Sequence, residues 1–180
     1  MNAKAVFAAV GVLALAAGTA LWLGTRASAP APTAIGIGAP ALYAATFADT
    51  DGRPKALGQY QGTLLVLNFW ATWCAPCREE MPAFKRLQTR WAGRGVQFVG
   101  LANEEPRRVE KFGRELDINY PLLVGGDEVS DLSKRLGNRL GVLPHTVIVD
   151  RNGGILESRV GPYSEAALEK QLVEIVANSR

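Results

Sequence analysis

The stretch Thr63-Leu64-Leu65-Val66-Leu67-Asn68-Phe69-Trp70-Ala71-Thr72-Trp73-Cys74-Ala75-Pro76-Cys77 decides the reading of this chain. Residues 63–70 form an apolar run of strand length, followed closely by the only two cysteines in the protein. A short continuous apolar run of this kind reads as a strand buried on both faces. Beyond the cysteines, Met81, Phe84, Leu87 and Trp91 recur at spacings of three and four, the period of a helix with one buried face. The two thiols therefore fall where a buried strand gives way to a helix. Unsatisfied N–H groups and the positive dipole end favour a thiolate at that position, and the thiolate is the nucleophilic form. Two such thiols, two residues apart, can pass an electron pair as dithiol and disulfide.

Working outward, the helix is predicted over about Ala75 to Ala92, with Pro82 inside it. Toward the N-terminus, residues 44–48 and 53–57 flank Asp51-Gly52, a tight-turn pair, and predict a small hairpin. Residues 58–62 read as a loop. Toward the C-terminus, strand and helix patterns alternate: a strand over 96–102, a helix opened by Pro106, a short strand over 120–124 and a helix from Asp131 to about Leu136. Strands over 145–150 and 155–160 are joined by the turn Arg151-Asn152-Gly153-Gly154. A final helix, capped by Ser164, runs to about Ala177. This order implies an α/β domain with a mixed central sheet and helices on both faces. No internal repeat is visible.

The first residues carry a different signal. Residues 1–4 form a short positive tip, and residues 5–24 contain no charge. Twenty residues of helix span roughly 30 Å, one hydrocarbon core, so residues 5–24 are expected to be one N-terminal transmembrane helix. A cleaved signal peptide has a shorter apolar region, and the triplet Ala27-Ser28-Ala29 is followed at once by Pro30, so a retained anchor is preferred. Residues 25–40 read as a Pro/Ala/Gly linker and residues 41–180 as the folded domain. The expected location is the inner (cytoplasmic) membrane, single-pass, with the domain on the periplasmic side.

Composition excludes other classes. The 180 residues carry 20 Lys+Arg and 17 Asp+Glu, a net charge of +3. Setting aside Lys4 and Arg26 leaves 18 basic against 17 acidic residues in the domain. No basic stripe with interleaved aromatics stands out, which argues against nucleic acid. Two cysteines do not make a disulfide framework, and two cysteines with one histidine fall short of the usual four zinc ligands.

The run from Asn68 to Cys77, with Glu80, Pro82 and Leu143-Pro144 before the strand ending at Asp150, resembles the TlpA/ResA-like membrane-anchored thiol–disulfide oxidoreductases of the thioredoxin superfamily. The resemblance covers residues 36–178. It implies a thioredoxin fold with an extra N-terminal β-hairpin, and an extracytoplasmic enzyme that reduces or exchanges protein disulfides. Its clients would be disulfide-bearing extracytoplasmic proteins, among them apocytochrome c in cytochrome c maturation. A transmembrane electron donor of the DsbD/CcdA type would recharge it. No cofactor or metal is expected beyond the Cys74–Cys77 pair, and the domain is expected to be monomeric.

Cys74, at the helix start with its sulfur expected to be partly exposed, is the attacking thiol, and Cys77 resolves the mixed disulfide. Glu80 lies three residues beyond Cys77 on the same helix face. A carboxylate with a raised pKa there would accept the Cys77 proton. Thioredoxin uses an acid on the preceding strand where this chain has Asn68, which does not titrate. The competing reading of Glu80 is an exposed helix glutamate beside Glu79. The resemblance makes Pro144 a cis proline opposite the cysteines, exposing the Leu143 backbone for an extended client strand. Trp73, Pro76, Leu143 and His145 complete the predicted client-binding set. His145, where the family often has a small hydroxyl residue, is either a thiolate-stabilising neighbour of Cys74 or a structural residue. Trp70 reads equally as core, Trp91 as core, and Lys85, Arg86 and Arg90 as a solvated face. Glu104-Glu105-Pro106 reads as an acidic helix cap.

Two other functions use the same residues. One is a copper metallochaperone-like module with Cys74, Cys77 and His145 as ligands. The other is a dithiol oxidase, the same exchange run backward.

Overall fold

Strand β3, Leu64–Trp70, is buried at every residue, and its side chains alternate between two cores. Leu64, Val66 and Trp70 join the first core, and Leu65, Leu67 and Phe69 the second. This period-2 division is what a central strand covered on both faces requires. The computed structural model describes residues 38–178. The described residues belong to one compact unit.

The order of elements is α1 (Ala39–Ala44), β1 (Thr46–Asp49), β2 (Pro54–Ala56), a 3-10 turn (Leu57–Tyr60), β3, α2 (Ala75–Trp91), β4 (Val96–Ala102), α3 (Pro106–Glu115), β5 (Leu122–Val124), α4 (Asp127–Arg135), β6 (His145–Val149), β7 (Ile155–Val160) and α5 (Glu165–Asn178). The strands form one sheet in the order β2-β1-β5-β4-β3-β6-β7. Its centre, β3-β4-β5, is parallel, and β1, β2, β6 and β7 add antiparallel flanks. The expected mixed sheet is therefore present, and its hairpins sit at opposite edges.

The first core packs Met81, Phe84, Leu87 and Trp91 of α2, Val109 of α3, and Leu168 and Leu172 of α5 against the sheet. The second core takes Leu42 of α1 together with Val129 and Leu132 of α4. Helices thus lie on both faces. Exposed ion pairs tie α2 to α5: Arg86 and Arg90 reach Glu165 at 2.5 and 2.6 Å, and Arg90 reaches Glu169 at 3.1 Å. The solvated face read for Lys85, Arg86 and Arg90 is thus an ion-pair layer, with Lys85 meeting Asp117 at 2.7 Å.

Several boundaries move. Residues 39 and 40, assigned to the linker, open helix α1, whose Leu42 and Tyr43 are buried. Pro40 costs nothing there, because a first-turn N–H has no helical partner. Helix α4 starts at Asp127, four residues before the expected Asp131. Asp127 and Glu128 at its first turn and Lys134 and Arg135 at its last suit the helix dipole. Strand β5 begins two residues later than expected, and the 58–62 loop overlaps a 3-10 turn. The tip, the transmembrane helix and most of the linker lie outside the described residues. Among the described residues no helix is long and apolar enough to cross a membrane.

Gly100 marks a tight crossing in the first core. A Cβ there would stand 2.7 Å from Leu122 Cδ2 and 2.9 Å from Trp70 Nε1. Gly100→Ala is expected to destabilise the protein by about 1–3 kcal/mol, as overpacking of a filled core does, and a urea denaturation curve measures it. An unchanged midpoint would show that the Trp70 indole moves aside freely.

Candidate active site at the start of helix α2

Cys74 is the N-cap of α2, in extended backbone, and its sulfur accepts the Cys77 N–H at 3.3 Å. The loop before it is a tight turn closed by Cys74 N–H to Ala71 O at 3.1 Å. Pro76 occupies the first turn, where its missing N–H is harmless, and is half-buried. Cys74 and Cys77 are joined in a disulfide, so the structure is the oxidised form. Cys77 is fully buried, and Cys74 is 5 % exposed. The expectation of a partly exposed Cys74 sulfur does not hold in this state, because Cys74 packs into the first core, against which Leu143 also packs.

Glu80 is not an exposed helix glutamate. It lies in the buried stripe of α2 one turn after Cys77, at 5 % exposure. Asn68 Nδ2 donates to its Oε1 at 2.9 Å, and Tyr163 N–H donates to its Oε2 at 2.8 Å. Asn68 also donates to Thr146 Oγ1 at 3.2 Å, so β3 and β6 share the support. Burial pushes the Glu80 carboxyl up to about 7, and the two hydrogen bonds and the nearby Arg159 charge offset part of that rise. A group titrating near neutrality beside a dithiol is suited to take and return a proton.

Pro144 follows a cis peptide bond with Leu143, as the resemblance implies. Pro144 is buried and Leu143 half-buried. Among the described residues the Leu143 backbone N–H and C=O have no hydrogen-bond partner. Trp73 is 71 % exposed, and Leu140 and Val142 are exposed at 89 % and 47 %. Trp73, Ala71, Val129, Asn138 and Leu143 line a cavity of about 170 Å³ beside the motif. Trp73 and Leu143 therefore meet at one apolar face. Trp70 and Trp91 are core residues at 1 % and 3 % exposure.

His145 sits elsewhere. It pairs with Phe69 across β3 and β6 and stacks on that ring at 5.2 Å, in the second core's face of the sheet, whereas the cysteines lie in the first. It is fully buried, and burial holds its imidazole down to about 4. The readings that place it beside Cys74 as a thiolate stabiliser, a client contact or a copper ligand are therefore corrected. Strand alternation turns it to the far side. The copper-binding alternative loses its third ligand with it.

Glu104 is the functional candidate that sequence reasoning misses. Its Oε2 accepts the Thr72 N–H at 2.5 Å and its Oε1 the Thr72 hydroxyl at 2.7 Å. It clamps the loop that carries Trp73 and Cys74, so the cap reading fails for Glu104, whereas Glu105 is the N-cap of α3, without a side-chain cap bond. The signal in the sequence is an acidic residue just past the carboxyl end of a parallel strand, the edge where α/β sheets build sites.

The AhpC/TSA family matches residues 35–158. The chain belongs to the AhpC/TSA family. The thiol-disulfide oxidoreductase ResA of Geobacillus thermodenitrificans is 31% identical over 144 residues, covering 79% of this chain and 80% of its own. The thioredoxin-like protein YneN of Bacillus subtilis is 32% identical over 127 residues, 67% of this chain and 70% of its own. A thiol:disulfide interchange protein of the thioredoxin family from Chlorobium tepidum superposes with a TM-score of 0.66 at 30% identity, covering 73% of this chain and 92% of that one. A secreted Mycobacterium tuberculosis disulfide oxidoreductase homologous to E. coli DsbE shares the fold, with a TM-score of 0.61 at 23% identity over 73% of this chain and 96% of that one. This AhpC/TSA member is a thiol–disulfide oxidoreductase with a thioredoxin-like fold.

The raised Glu80 carboxyl makes stability depend on pH. Its folded pKa of about 7 lies above the ordinary 4.5, so the folded state binds the proton more tightly. The stabilisation is complete below about pH 4.5 and is lost as pH rises through 7, a change of order 3 kcal/mol. Denaturant midpoints of wild type and Glu80→Gln across pH 4 to 8 measure it. The wild type is expected to lose stability relative to the variant over that window, and parallel curves would contradict a buried, raised carboxyl.

Proposed function

We propose that this oxidoreductase works as a reductase of protein disulfides outside the cytoplasm, tethered by residues 5–24. The observation that carries the reading is the buried Glu80, bonded to Asn68 and Tyr163 one turn beyond a fully buried Cys77. A buried resolving thiol needs a proton acceptor inside the protein, because water does not reach it.

The cycle starts from the reduced pair. The Cys74 thiolate attacks one sulfur of the client disulfide, forming a Cys74–client bond and releasing the other client sulfur as a thiolate. Glu80 takes the Cys77 proton. The Cys77 thiolate then attacks Cys74 Sγ, the client's second sulfur leaves, and the pair closes as a disulfide. Two electrons have passed to the client, and the Glu80 proton is available to the departing thiolate. Extended client chain pairs with the free Leu143 backbone, and Trp73, Pro76 and the loop to Leu143 receive its side chains. A transmembrane donor of the DsbD/CcdA type returns two electrons. Clients are disulfide-bearing extracytoplasmic proteins, including apocytochrome c, and the pair needs no further cofactor or metal. The membrane-anchored inner-membrane location and the cytochrome c role rest on the TlpA/ResA-like resemblance and on the apolar residues 5–24.

The equilibrium potential of the purified protein against glutathione tests direction. Dithiols of this fold run from about −270 to −120 mV, and a reductase is expected near the lower end. A value near −120 mV would instead establish the oxidase. Glu80→Gln is expected to slow mixed-disulfide resolution by about 100-fold near neutral pH, the lower end of the range for a positioned proton acceptor. Unchanged single-turnover rates across pH would remove Glu80 from the mechanism.

A further inference from the structure

The segment between α4 and β6 holds the most exposed apolar side chain of the site, Leu140, yet it hangs on a buried polar chain that the redox chemistry does not use. Asn138 is 1 % exposed. Its Oδ1 accepts the Val142 N–H at 3.1 Å and its Nδ2 donates to Val142 O at 2.8 Å, so one side chain clamps both backbone groups of a residue four positions on. The same Nδ2 donates to Ser133 Oγ at 3.0 Å. Ser133 Oγ lies 2.9 Å from His145 Nδ1, and His145 Nε2 lies 2.9 Å from Ser158 Oγ. Ser158 Oγ stands 2.6 Å from Leu136 O.

The donor count gives this chain one direction. Ser158 has a single hydroxyl proton, and the carbonyl of Leu136 can only accept it. Ser158 must therefore accept from His145, which puts the imidazole proton on Nε2. Nδ1 is then an acceptor and takes the Ser133 hydroxyl proton, which leaves Ser133 oxygen free to accept from Asn138. Every donor has an acceptor only when His145 is neutral with its proton on Nε2. A second proton on Nδ1 would strand the Ser133 hydroxyl. A fully satisfied buried network specifies one arrangement, because any partial arrangement leaves a buried polar group unpaired. Here that arrangement sets residues 139–143. Gly141, at positive φ, lets the chain turn tightly between the clamp's ends, and Gly137, also at positive φ, stands just before it.

We propose that Asn138, supported through Ser133 by His145, is the positioning residue that holds loop 139–143 for client recognition, acting on client binding and leaving the dithiol chemistry untouched. The network lies behind the loop, in and beside the second core's face of the sheet, and the dithiol with Glu80 lies in the first. Asn138 and Ser133 meet the site at the cavity they line with Trp73 and Leu143, but among the described residues no hydrogen bond joins the network to Cys74, Cys77 or Glu80. His145 thereby has a role that does not require contact with Cys74.

The inference rests on the disulfide-reducing reading in one respect, that loop 139–143 meets the client. The test uses the full chain, reduced, against two oxidants in stopped flow: a short peptide whose Cys-x-x-Cys is closed as a disulfide, and hydroxyethyl disulfide, which has no peptide backbone to dock. Asn138→Ala is expected to slow the peptide reaction about tenfold through weaker binding, while hydroxyethyl disulfide and the Cys74–Cys77 potential stay within about twofold of wild type. Ser133→Ala keeps both Asn138–Val142 bonds and removes their support. It is expected to give a smaller loss of the same selectivity and faster amide exchange at Val142, and it carries the test where Asn138→Ala does not fold. Equal slowing of both oxidants, or of neither, would overturn the proposal. A histidine nitrogen spectrum at neutral pH with the proton on Nδ1 would overturn the order of the network. A wild type that ignores the peptide sinks the reductase reading and this inference together, whereas a wild type matched by both variants sinks the inference alone.

Discussion

Burying the Glu80 carboxylate is the constraint around which the site is arranged. A carboxylate out of water demands hydrogen bonds, and Glu80 has one on each oxygen, from Asn68 on β3 and from the Tyr163 backbone just before α5. Those two bonds tie α2 to the central strand and to the segment leading into the last helix. They also explain why position 68 holds an amide. An acid there would face Glu80 across a hydrogen-bond distance, and two carboxylates so close could not both ionise. An amide donates and keeps the one titrating group one turn from the resolving cysteine. Asn68 spends the same nitrogen on Thr146, so the strand that begins just after the cis proline is registered against the acid's support.

Much of this is legible in the amino-acid order alone. The apolar run 63–70 and the alternation that follows require a central strand in a covered sheet, and two cysteines at a helix start point to electron exchange. Glu80 is legible through helical spacing, since three residues beyond Cys77 returns to the same face. What spacing does not show is which face is buried at that point. Glu79 and Glu80 are adjacent, and only the approach of β3 and of the segment at Tyr163 to α2 decides that one is solvated and the other enclosed.

The misreadings share a cause: each needs a contact between distant segments. Glu104 looks like a helix cap because Pro106 follows it, but its partner is Thr72, brought near by the parallel pairing of β3 and β4. His145 looks like a neighbour of Cys74 because it follows Pro144. The β3–β6 register, with Phe69 opposite His145 and Asn68 opposite Thr146, turns the imidazole away and the threonine hydroxyl inward. A slip of one residue would exchange them, and β6, buried at all five residues, has no apolar–polar alternation from which to read its register. Helix α1 is hidden because its six residues, rich in alanine and proline, continue the composition of the linker before them.

Thr146 and His145 then carry a wider point about how this fold divides its work. Adjacent residues on one strand point to opposite faces by backbone geometry alone. One supports Asn68 and hence the proton acceptor, and the other supports Ser133 and hence the loop beside the cis proline. The strand β6 thus serves both halves of the site from opposite faces. The neutral imidazole adds no charge near the dithiol, and burial keeps it neutral across the range in which Glu80 titrates. A histidine facing the cysteines would have tied client contact, thiolate stability and proton transfer to one ionisation. Placing it behind the sheet lets the surface that meets the client vary without disturbing the buried acid.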